Sequence, residues 1–171
     1  MAENKAGVRF LNKIAIVTGG CQGVGKGILD VLLEQGGKVA VFDINDKLGS
    51  ELTTSGPGIV KYVHCDVRNE AEVKRSIASV VEAFGGLDLL VNNAGYAPSV
   101  VRTPLLEEFA SSLPDPQKQI KNWEDSVLLR RLAEPKEIGL ACLYLAVDAT
   151  FTTGFELNCT AGSEIGYGVK Q

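Results

Sequence analysis

The sequence predicts an α/β protein in which helices cover both faces of a parallel sheet. Through the first half of the chain, short apolar runs alternate with longer amphipathic runs. Near-continuous apolar strands are typical of parallel sheets that are buried on both faces, and amphipathic helices supply the cover. A length of 171 residues is that of one domain, so we treat residues 1–171 as a single unit.

Four strands and three helices are predicted before residue 95. The apolar, β-branched run of residues 14–17 is the first strand, and the run after the glycines is its helix. Helical spacing of Val73, Ile77 and Phe84 supports the third helix. The predicted strands span residues 14–17, 38–43, 59–64 and 87–91, and the helices span residues 25–34, 47–53 and 70–84.

The alternation breaks down between residues 96 and 134, where prolines interrupt the pattern. Two short helices are predicted there, over residues 105–112 and 117–129. An apolar helix over residues 135–147, with a proline at its start, restores regularity. A last short strand is predicted over residues 153–159. The predicted sheet is therefore truncated and holds strands one to four plus this last strand.

A glycine-rich turn joins the first strand to its helix, with the spacing T-G-x-x-x-G-x-G. Glycines at such a turn let the backbone approach a diphosphate, which the free N–H groups and the dipole of the following helix attract. An ordinary tight turn would carry the same glycines, so the turn alone is weak support. The predicted cofactor-binding residues here are Thr18, Gly19, Gln22, Gly23, Val24 and Gly25.

Asp43 ends the second strand, eighteen residues beyond Gly25. A carboxylate near this spacing accepts hydrogen bonds from the adenosine ribose hydroxyls of a dinucleotide. It would also repel a 2′-phosphate, and Cys21 and Gln22 offer no cation to hold one. We therefore predict that the cofactor is NAD rather than NADP. The alternative for Asp43 is a solvated turn residue.

Two further turns follow the third and fourth strands, at the same predicted edge of the sheet. Asp66, followed by Val67, could accept a hydrogen bond from the adenine amino group, or could instead cap the helix that follows. The run Asn93-Ala94-Gly95 could line the cofactor cleft or form an ordinary turn. We predict that all five residues contribute to cofactor binding.

Together these motifs resemble the short-chain dehydrogenase/reductase family, because the glycine turn, the strand-two aspartate, the Asp-Val pair and the N-N-A-G turn occur in family order. The resemblance covers residues 11–95 and resumes in several segments after residue 101. The ending, residues 162–168, is similar to that of 17β-hydroxysteroid dehydrogenases. The resemblance implies a Rossmann-type fold and NAD-dependent oxidation of a hydroxysteroid-type secondary alcohol to a ketone. It also implies that Thr103, just before the substrate loop, contacts the nicotinamide carboxamide.

The family's reaction requires a serine and a Tyr-x-x-x-Lys motif, whose spacing puts the tyrosine and the lysine on one helical face. The lysine lowers the phenol pKa, so that the tyrosine can exchange a proton with the alcohol. No tyrosine of this chain is followed by a lysine at that spacing, so we predict no catalytic residue. The tyrosines are Tyr62, Tyr96, Tyr144 and Tyr167, and the residues four positions after them are Asp66, Val100, Asp148 and Gln171.

The simplest account is an internal deletion near residues 96–102 that removes strands five and six and leaves residues 103–133 as a remnant of the substrate loop. In the family's strand order, 3-2-1-4-5-6-7, strand four then becomes an edge and the last strand loses its neighbour. The last strand either pairs with strand four or leaves an apolar edge open. The family's dimer contact uses the missing helices, so we expect homo-oligomers to be weakened or lost.

Three functional hypotheses remain: an oxidoreductase that has lost its catalytic core, a non-catalytic dinucleotide-binding module, and an unstable fragment. NAD is the predicted partner of the first two. A small apolar alcohol or ketone is compatible with the apolar positions of the substrate-loop remnant, which a core-facing helix would explain equally well. These positions are Leu105, Leu106, Phe109 and Trp123.

Composition argues against other classes of partner. A net charge of −4 without a basic cluster argues against nucleic acid. No apolar run has membrane-spanning length, and we recognise no signal peptide. The four scattered cysteines predict reduced thiols, a cytoplasmic location and no metal site. The single histidine, His64, is predicted to be structural.

Overall fold

The structure is a computed structural model that describes residues 7–95 and 100–163. Four strands form one parallel sheet in the order β3-β2-β1-β4. The sheet and its covering helices confirm the predicted α/β class. The strands are β1 (Ile14–Thr18), β2 (Lys38–Asp43), β3 (Ile59–His64) and β4 (Leu89–Val91).

The predicted helices are present, and their bounds agree closely with the pattern of apolar residues. Proline occupies the first turn of the three helices after residue 100, where its missing N–H costs no hydrogen bond. The helices predicted over residues 47–53 and 117–129 end earlier, at residues 50 and 125, with Glu51 and Ser126 as their C-cap residues. The helices are α1 (Gly23–Glu34), α2 (Asp46–Ser50), α3 (Glu70–Phe84), α4 (Pro104–Ser111), α5 (Pro116–Asp125) and α6 (Pro135–Val147).

The two faces of the sheet pack against different helices. Alternate residues of β1 point to opposite faces, as in any strand. Ala15 and Val17 lie in a core with α1 and α6, in which Leu143 is fully buried. Ile14 and Ile16 lie in a second core with α3. Helices therefore cover both faces of the sheet along β1 and β2.

The prediction of a last strand over residues 153–159 is wrong. This segment forms no strand, and the large apolar residues Phe155 and Leu157 within it are exposed. A strand is held by the hydrogen-bonding ladder of a neighbour. Among the described residues, β4 pairs with β1 alone, so the segment has not taken up the place beside β4 either.

The segment predicted to be the substrate-loop remnant is closed at its base by a short parallel bridge. Val101 bridges to Ala133, and the Arg102 N–H donates to the Ala133 carbonyl at 2.8 Å. The helices α4 and α5 lie between these two points. The predicted deletion near residues 96–102 falls partly on residues 96–99, which lie outside the described residues. In the parts of the chain that are described, no helix is both long and apolar enough to span a membrane.

Candidate functional site

A cleft of about 600 Å³ opens where β1, β2 and β4 end and α1 begins. This is the carboxyl edge of a parallel sheet, where open α/β folds bind ligands. Nine of the thirteen predicted cofactor-binding residues line it. The lining residues are Gly19, Gln22, Gly23, Val24, Asp43, Ile44, Asn45, Asn93, Ala94, Gly95, Thr103, Pro104 and Leu105.

The glycines of the turn are required by its backbone. Gly19 has φ +65° and Gly23 has φ +58°, both in the left-handed region that side chains disfavour. Gly25 is not among the lining residues, but a Cβ there would lie 2.2 Å from the Gly19 carbonyl oxygen. The first turn of α1 therefore packs directly onto the end of β1.

The N-terminus of α1 is not capped by a side chain, whereas those of α2 to α5 are and α6 begins with a capping box. Gln22 is the N-cap residue of α1 and makes no side-chain hydrogen bond there. The first N–H groups of a helix lack intrahelical partners and favour an anion. The N-termini of the other helices are satisfied by Asn45 (α2), Asn69 (α3), Thr103 (α4), Asp115 (α5) and Glu137 (α6). The N–H groups beside the cleft fit the diphosphate of a dinucleotide.

Thr18 and Asn93 join the ends of β1 and β4 below the cleft. The Thr18 hydroxyl accepts from the N–H groups of Asn93 and Ala94, at 3.0 and 2.9 Å. The Asn93 side-chain amide donates to the carbonyls of Thr18 and Gly19, at 2.9 and 3.1 Å. Thr18 is buried and shapes the cleft rather than lining it. Asn93 does both.

The Asp43 carboxylate lies in the cleft and is oriented by two backbone N–H groups. Oδ2 accepts from Cys21 at 3.1 Å, and Oδ1 accepts from Asn45 at 3.0 Å. Burial and the neighbouring Asp43 carboxylate raise the pKa of the Cys21 thiol to about 12, so this cysteine remains protonated. None of the described residues that line the cleft is basic. The cleft therefore has a carboxylate that can accept hydrogen bonds from hydroxyl groups. Its lining residues provide no cation for a phosphate beyond the diphosphate, such as a 2′-phosphate.

Asp66 and Val67 do not line the cleft. Arg68 binds the Asp66 carboxylate, with Nη2 at 2.7 Å from Oδ2, and its hydrogen bonds lower the pKa of Asp66 to about 2. Asp66 does not cap α3 either, because Asn69 accepts from the Glu72 N–H at that position. The capping alternative for Asp66 is thus wrong, and its hydrogen bond with the adenine amino group stays a prediction. Val67 is exposed.

Thr103 closes the far side of the cleft. It is 8% exposed, and its hydroxyl accepts from the Leu106 N–H at the start of α4. Its methyl group lies over the glycine turn, where a Cβ on Gly23 would be 3.5 Å away. Thr103 thus places the start of α4 beside the cleft, and Pro104 and Leu105 line it as well. No sequence motif predicted that Ile44, Asn45 or Pro104 would line the cleft. Their closeness in sequence to Asp43 and Thr103 was the only indication.

The apolar positions of the substrate-loop remnant are divided between cleft and core. Leu105 lines the cleft, whereas Leu106 is buried. Phe109 stacks on Trp123 with ring centroids 6.0 Å apart. The core-facing alternative therefore explains Leu106, and Leu105 alone of the four lines the cleft.

Neither described tyrosine lines the cleft. Tyr62 lies on β3 and Tyr144 on α6. Tyr96 and Tyr167 lie outside the described residues. His64 also lies away from the cleft, with Nδ1 at 2.8 Å from Asp46 Oδ1. Within residues 7–95 and 100–163, no group of three or more His, Cys, Asp or Glu residues is placed to hold a metal ion.

The family model described as short chain dehydrogenase matches residues 13–113. Among curated proteins, L-fucose dehydrogenase of Bos taurus is 27% identical over 254 aligned positions, which cover 96% of this chain and 94% of that protein. This alignment is longer than the 171-residue chain. (+)-Borneol dehydrogenase 2 of Salvia officinalis is 41% identical over 90 residues, covering 52% of this chain and 32% of that protein.

Solved structures share the fold. Ligand-free aldohexose dehydrogenase of Thermoplasma acidophilum superposes with a TM-score of 0.80 at 21% identity, covering 91% of this chain and 95% of that one. L-Sorbose reductase of Gluconobacter frateurii, complexed with NADPH and L-sorbose, gives 0.80 at 16% identity, covering 91% and 98%. At these identities the likeness concerns the fold alone.

Proposed function

We propose that this chain, which belongs to the short-chain dehydrogenase family, binds NAD and does not itself oxidise an alcohol. Members of this family bind a nicotinamide dinucleotide. The observation that carries the proposal is the Asp43 carboxylate, held by two N–H groups beside the uncapped N-terminus of α1. The first feature suits ribose hydroxyls and the second suits a diphosphate.

We infer a role for each part of the cleft. The backbone of the turn from Gly19 to Gly25 would bind the diphosphate, and Asp43 would accept from the adenosine ribose hydroxyls. Asn93 and Thr103 would flank the nicotinamide end. NAD, when bound, would bring a hydride acceptor to this end of the cleft. Preference for NAD over NADP follows from the single carboxylate and from the lack of a basic residue among those lining the cleft.

The inferred loss of activity rests on the missing proton donor. General acid–base catalysis contributes about 10²–10⁴-fold to a rate, and no Tyr-x-x-x-Lys motif occurs in the sequence. An alignment to a curated relative that is longer than the chain supports an internal deletion of the segment that would carry it. The open edge of β4 is consistent with the same deletion.

For the reaction from which this cleft descends, we propose oxidation of a secondary alcohol. The ending resembles 17β-hydroxysteroid dehydrogenase type 14, although residues 164–171 lie outside the described residues. Relatives named for L-fucose and for borneol make sugars and terpenoid alcohols competing candidates. Assays of this chain should therefore include both a steroid alcohol and L-fucose.

The test combines a binding readout with a turnover readout on the same sample. NAD should raise the melting temperature of the chain in a concentration-dependent way, because a ligand of the native state stabilises it by about 2.7 kcal/mol at one hundred times its Kd. NADH formation with estradiol or L-fucose should not exceed the rate without protein. Turnover that Asp43→Arg abolishes would contradict the inferred inactivity.

An unstable fragment is the competing interpretation, and the same experiment distinguishes it. A fragment would give no cooperative melting transition with or without NAD. A folded chain whose melting temperature is unaffected by millimolar NAD would contradict the proposed binding. The buried cores on both faces of β1 favour a folded chain.

A further inference from the structure

Tyr62 connects β3 to the turn that follows Asp43. Its hydroxyl lies 3.0 Å from the Asp43 carbonyl oxygen and 2.7 Å from Asp46 Oδ1, within hydrogen-bonding distance of both acceptors. Asp43 ends β2 and Asp46 begins α2. The single phenol oxygen therefore contacts both ends of the short segment that carries the cofactor-facing carboxylate.

The ring of Tyr62 also supports α2 from below. Gly49 is buried in α2, and a Cβ there would lie 2.4 Å from Tyr62 Cε2. A side chain at residue 49 would displace the ring. The absence of one lets the tyrosine fill the space between β3 and α2, where steric contact fixes the direction of its hydroxyl.

Asp46 is suited to hold the phenol at neutral pH. Hydrogen bonds from Tyr62 and from His64 lower the pKa of the Asp46 carboxyl, so it stays ionised. His64 Nδ1 lies 2.8 Å from the same oxygen, Oδ1. A hydrogen bond to a charged acceptor is stronger than one between neutral groups. The ionised Asp46 carboxylate therefore anchors the Tyr62 hydroxyl.

The orientation of the Asp43 carboxylate depends on this segment. Oδ1 accepts from the Asn45 N–H, which lies between the two points that Tyr62 binds. If the segment shifts, the N–H that directs Oδ1 moves with it. The carboxylate would then rely on the Cys21 N–H alone.

Resting on the proposed dinucleotide binding, we propose that Tyr62 is a positioning residue that sets the preference for NAD over NADP by holding the Asp43–Asp46 turn. A fixed carboxylate meets the ribose hydroxyls of NAD and cannot rotate away from the 2′-phosphate of NADP. A carboxylate that is free to move would lose part of its hydrogen bonding to the ribose hydroxyls of NAD. It would also avoid part of its repulsion with the 2′-phosphate of NADP. Removing the hydroxyl should therefore change the ratio of the two affinities.

The test compares Tyr62→Phe with Tyr144→Phe, which removes a phenol hydroxyl from the exposed face of α6. Calorimetric titration of each full-length variant with NAD and with NADP gives the ratio of dissociation constants. Tyr62→Phe should weaken NAD binding by about fivefold and bring the NADP-to-NAD ratio closer to one. Tyr144→Phe should leave both dissociation constants unchanged. A merely structural role for Tyr62 would weaken both ligands equally and leave the ratio as it is.

A second pair of variants guards against misfolding of Tyr62→Phe. Asp46 is exposed, so Asp46→Ala should fold, and it removes the charged anchor of the phenol. Asp46→Ala should bring the NADP-to-NAD ratio of dissociation constants closer to one. Asp46→Asn keeps an acceptor oxygen, so its ratio should be close to that of the wild type. An unchanged ratio in Tyr62→Phe and in Asp46→Ala, with normal binding by the wild type, would overturn this inference alone. Failure of the wild type to bind NAD would overturn the proposed function as well.

Discussion

The two strands that border β1 differ in how completely they are covered. On one side, the four central residues of β2 are buried, and β3 pairs along its whole length. On the other side, β4 has three residues, and Leu90 is 46% exposed although its partner Ile16 is fully buried. The complete side carries Asp43, and the open side ends where the family's catalytic segment would follow.

The difference shows which parts of this fold depend on distant sequence. The glycine turn, α1 and the Asp43 turn are joined to one another by contacts among residues 14–64. Consecutive strand–helix units of this kind supply their own neighbours. The open side needs strands that come later in the family's order. A loss near residue 96 would therefore leave the side that carries Asp43 complete.

The largest effect is expected from a Cβ at the first turn of α1. Gly25→Ala places that atom 2.2 Å from the Gly19 carbonyl oxygen, so the turn must open. We expect a loss of about 2–3 kcal/mol in the free energy of unfolding and loss of NAD-induced stabilisation. Thermal melts with and without NAD measure both.

The matched control for Gly25→Ala lies on the open side of the sheet. A Cβ on Gly86 would be 3.9 Å from its nearest neighbour, Ile14 Cδ1, which is an ordinary contact. Gly86→Ala should therefore keep NAD binding and change stability by less than about 0.5 kcal/mol. If NAD stabilised Gly25→Ala as much as the wild type, the glycine turn would not be part of the NAD-binding site.

A smaller, pH-dependent effect is expected at Asp88, which attaches β4 to β1. Its carboxylate accepts from the Ile14 N–H at 2.8 Å and from Lys13 Nζ at 3.1 Å, and these bonds lower its pKa. A carboxyl group whose pKa is lower in the folded state stabilises that state at pH values above its unfolded-state pKa, about 3.9. This stabilisation is lost as the pH falls through the folded-state pKa.

Asp88→Ala should cost about 1 kcal/mol at pH 7, a modest value because the side chain is 38% exposed and solvent screens it. The gap to the wild type in denaturant melts should narrow below about pH 4. Asp88→Asn, which keeps an acceptor oxygen, should lose less. NAD affinity should not change in either variant, and a large change would show that the two sides of the sheet are coupled.

The smallest effect on folding is expected at the open edge itself. Leu90→Ser should change the free energy of unfolding by about 0.5 kcal/mol or less because Leu90 is already half exposed. It should reduce concentration-dependent light scattering, since exposed apolar strand edges promote association. Ile16→Ser, at the paired position of β1, should cost about 3 kcal/mol or more. Similar losses for the two variants would mean that β4 is covered in solution.

The sequence predicted most accurately the elements whose signal is local. Strands β2 and β3 and helices α3 and α6 have the predicted bounds, because apolar periodicity and capping residues act within a few positions. Residues 153–159 carry a similar apolar pattern and form no strand. A strand requires a neighbour, and the pattern within a segment does not report whether that neighbour exists.

The cleft was predictable in part for the same reason. Motif spacing located Gly19, Asp43 and Asn93, which line it. The capping alternative for Asp66 is wrong because Asn69 caps α3, whereas the Asp66 carboxylate is bound by Arg68, two residues away, and spacing does not register such local competitors. The contribution of Pro104 depends on where α4 packs, which is a tertiary property.

Isothermal titration of the wild-type chain with NAD tests the central claim most directly. The proposed NAD site predicts a saturable, one-site isotherm with a dissociation constant below about 1 mM, the upper end of common values for enzyme ligands. Binding should be weaker for NADP, because the Asp43 carboxylate would repel its 2′-phosphate. No heat of binding from a cooperatively folded sample at millimolar NAD would contradict the account.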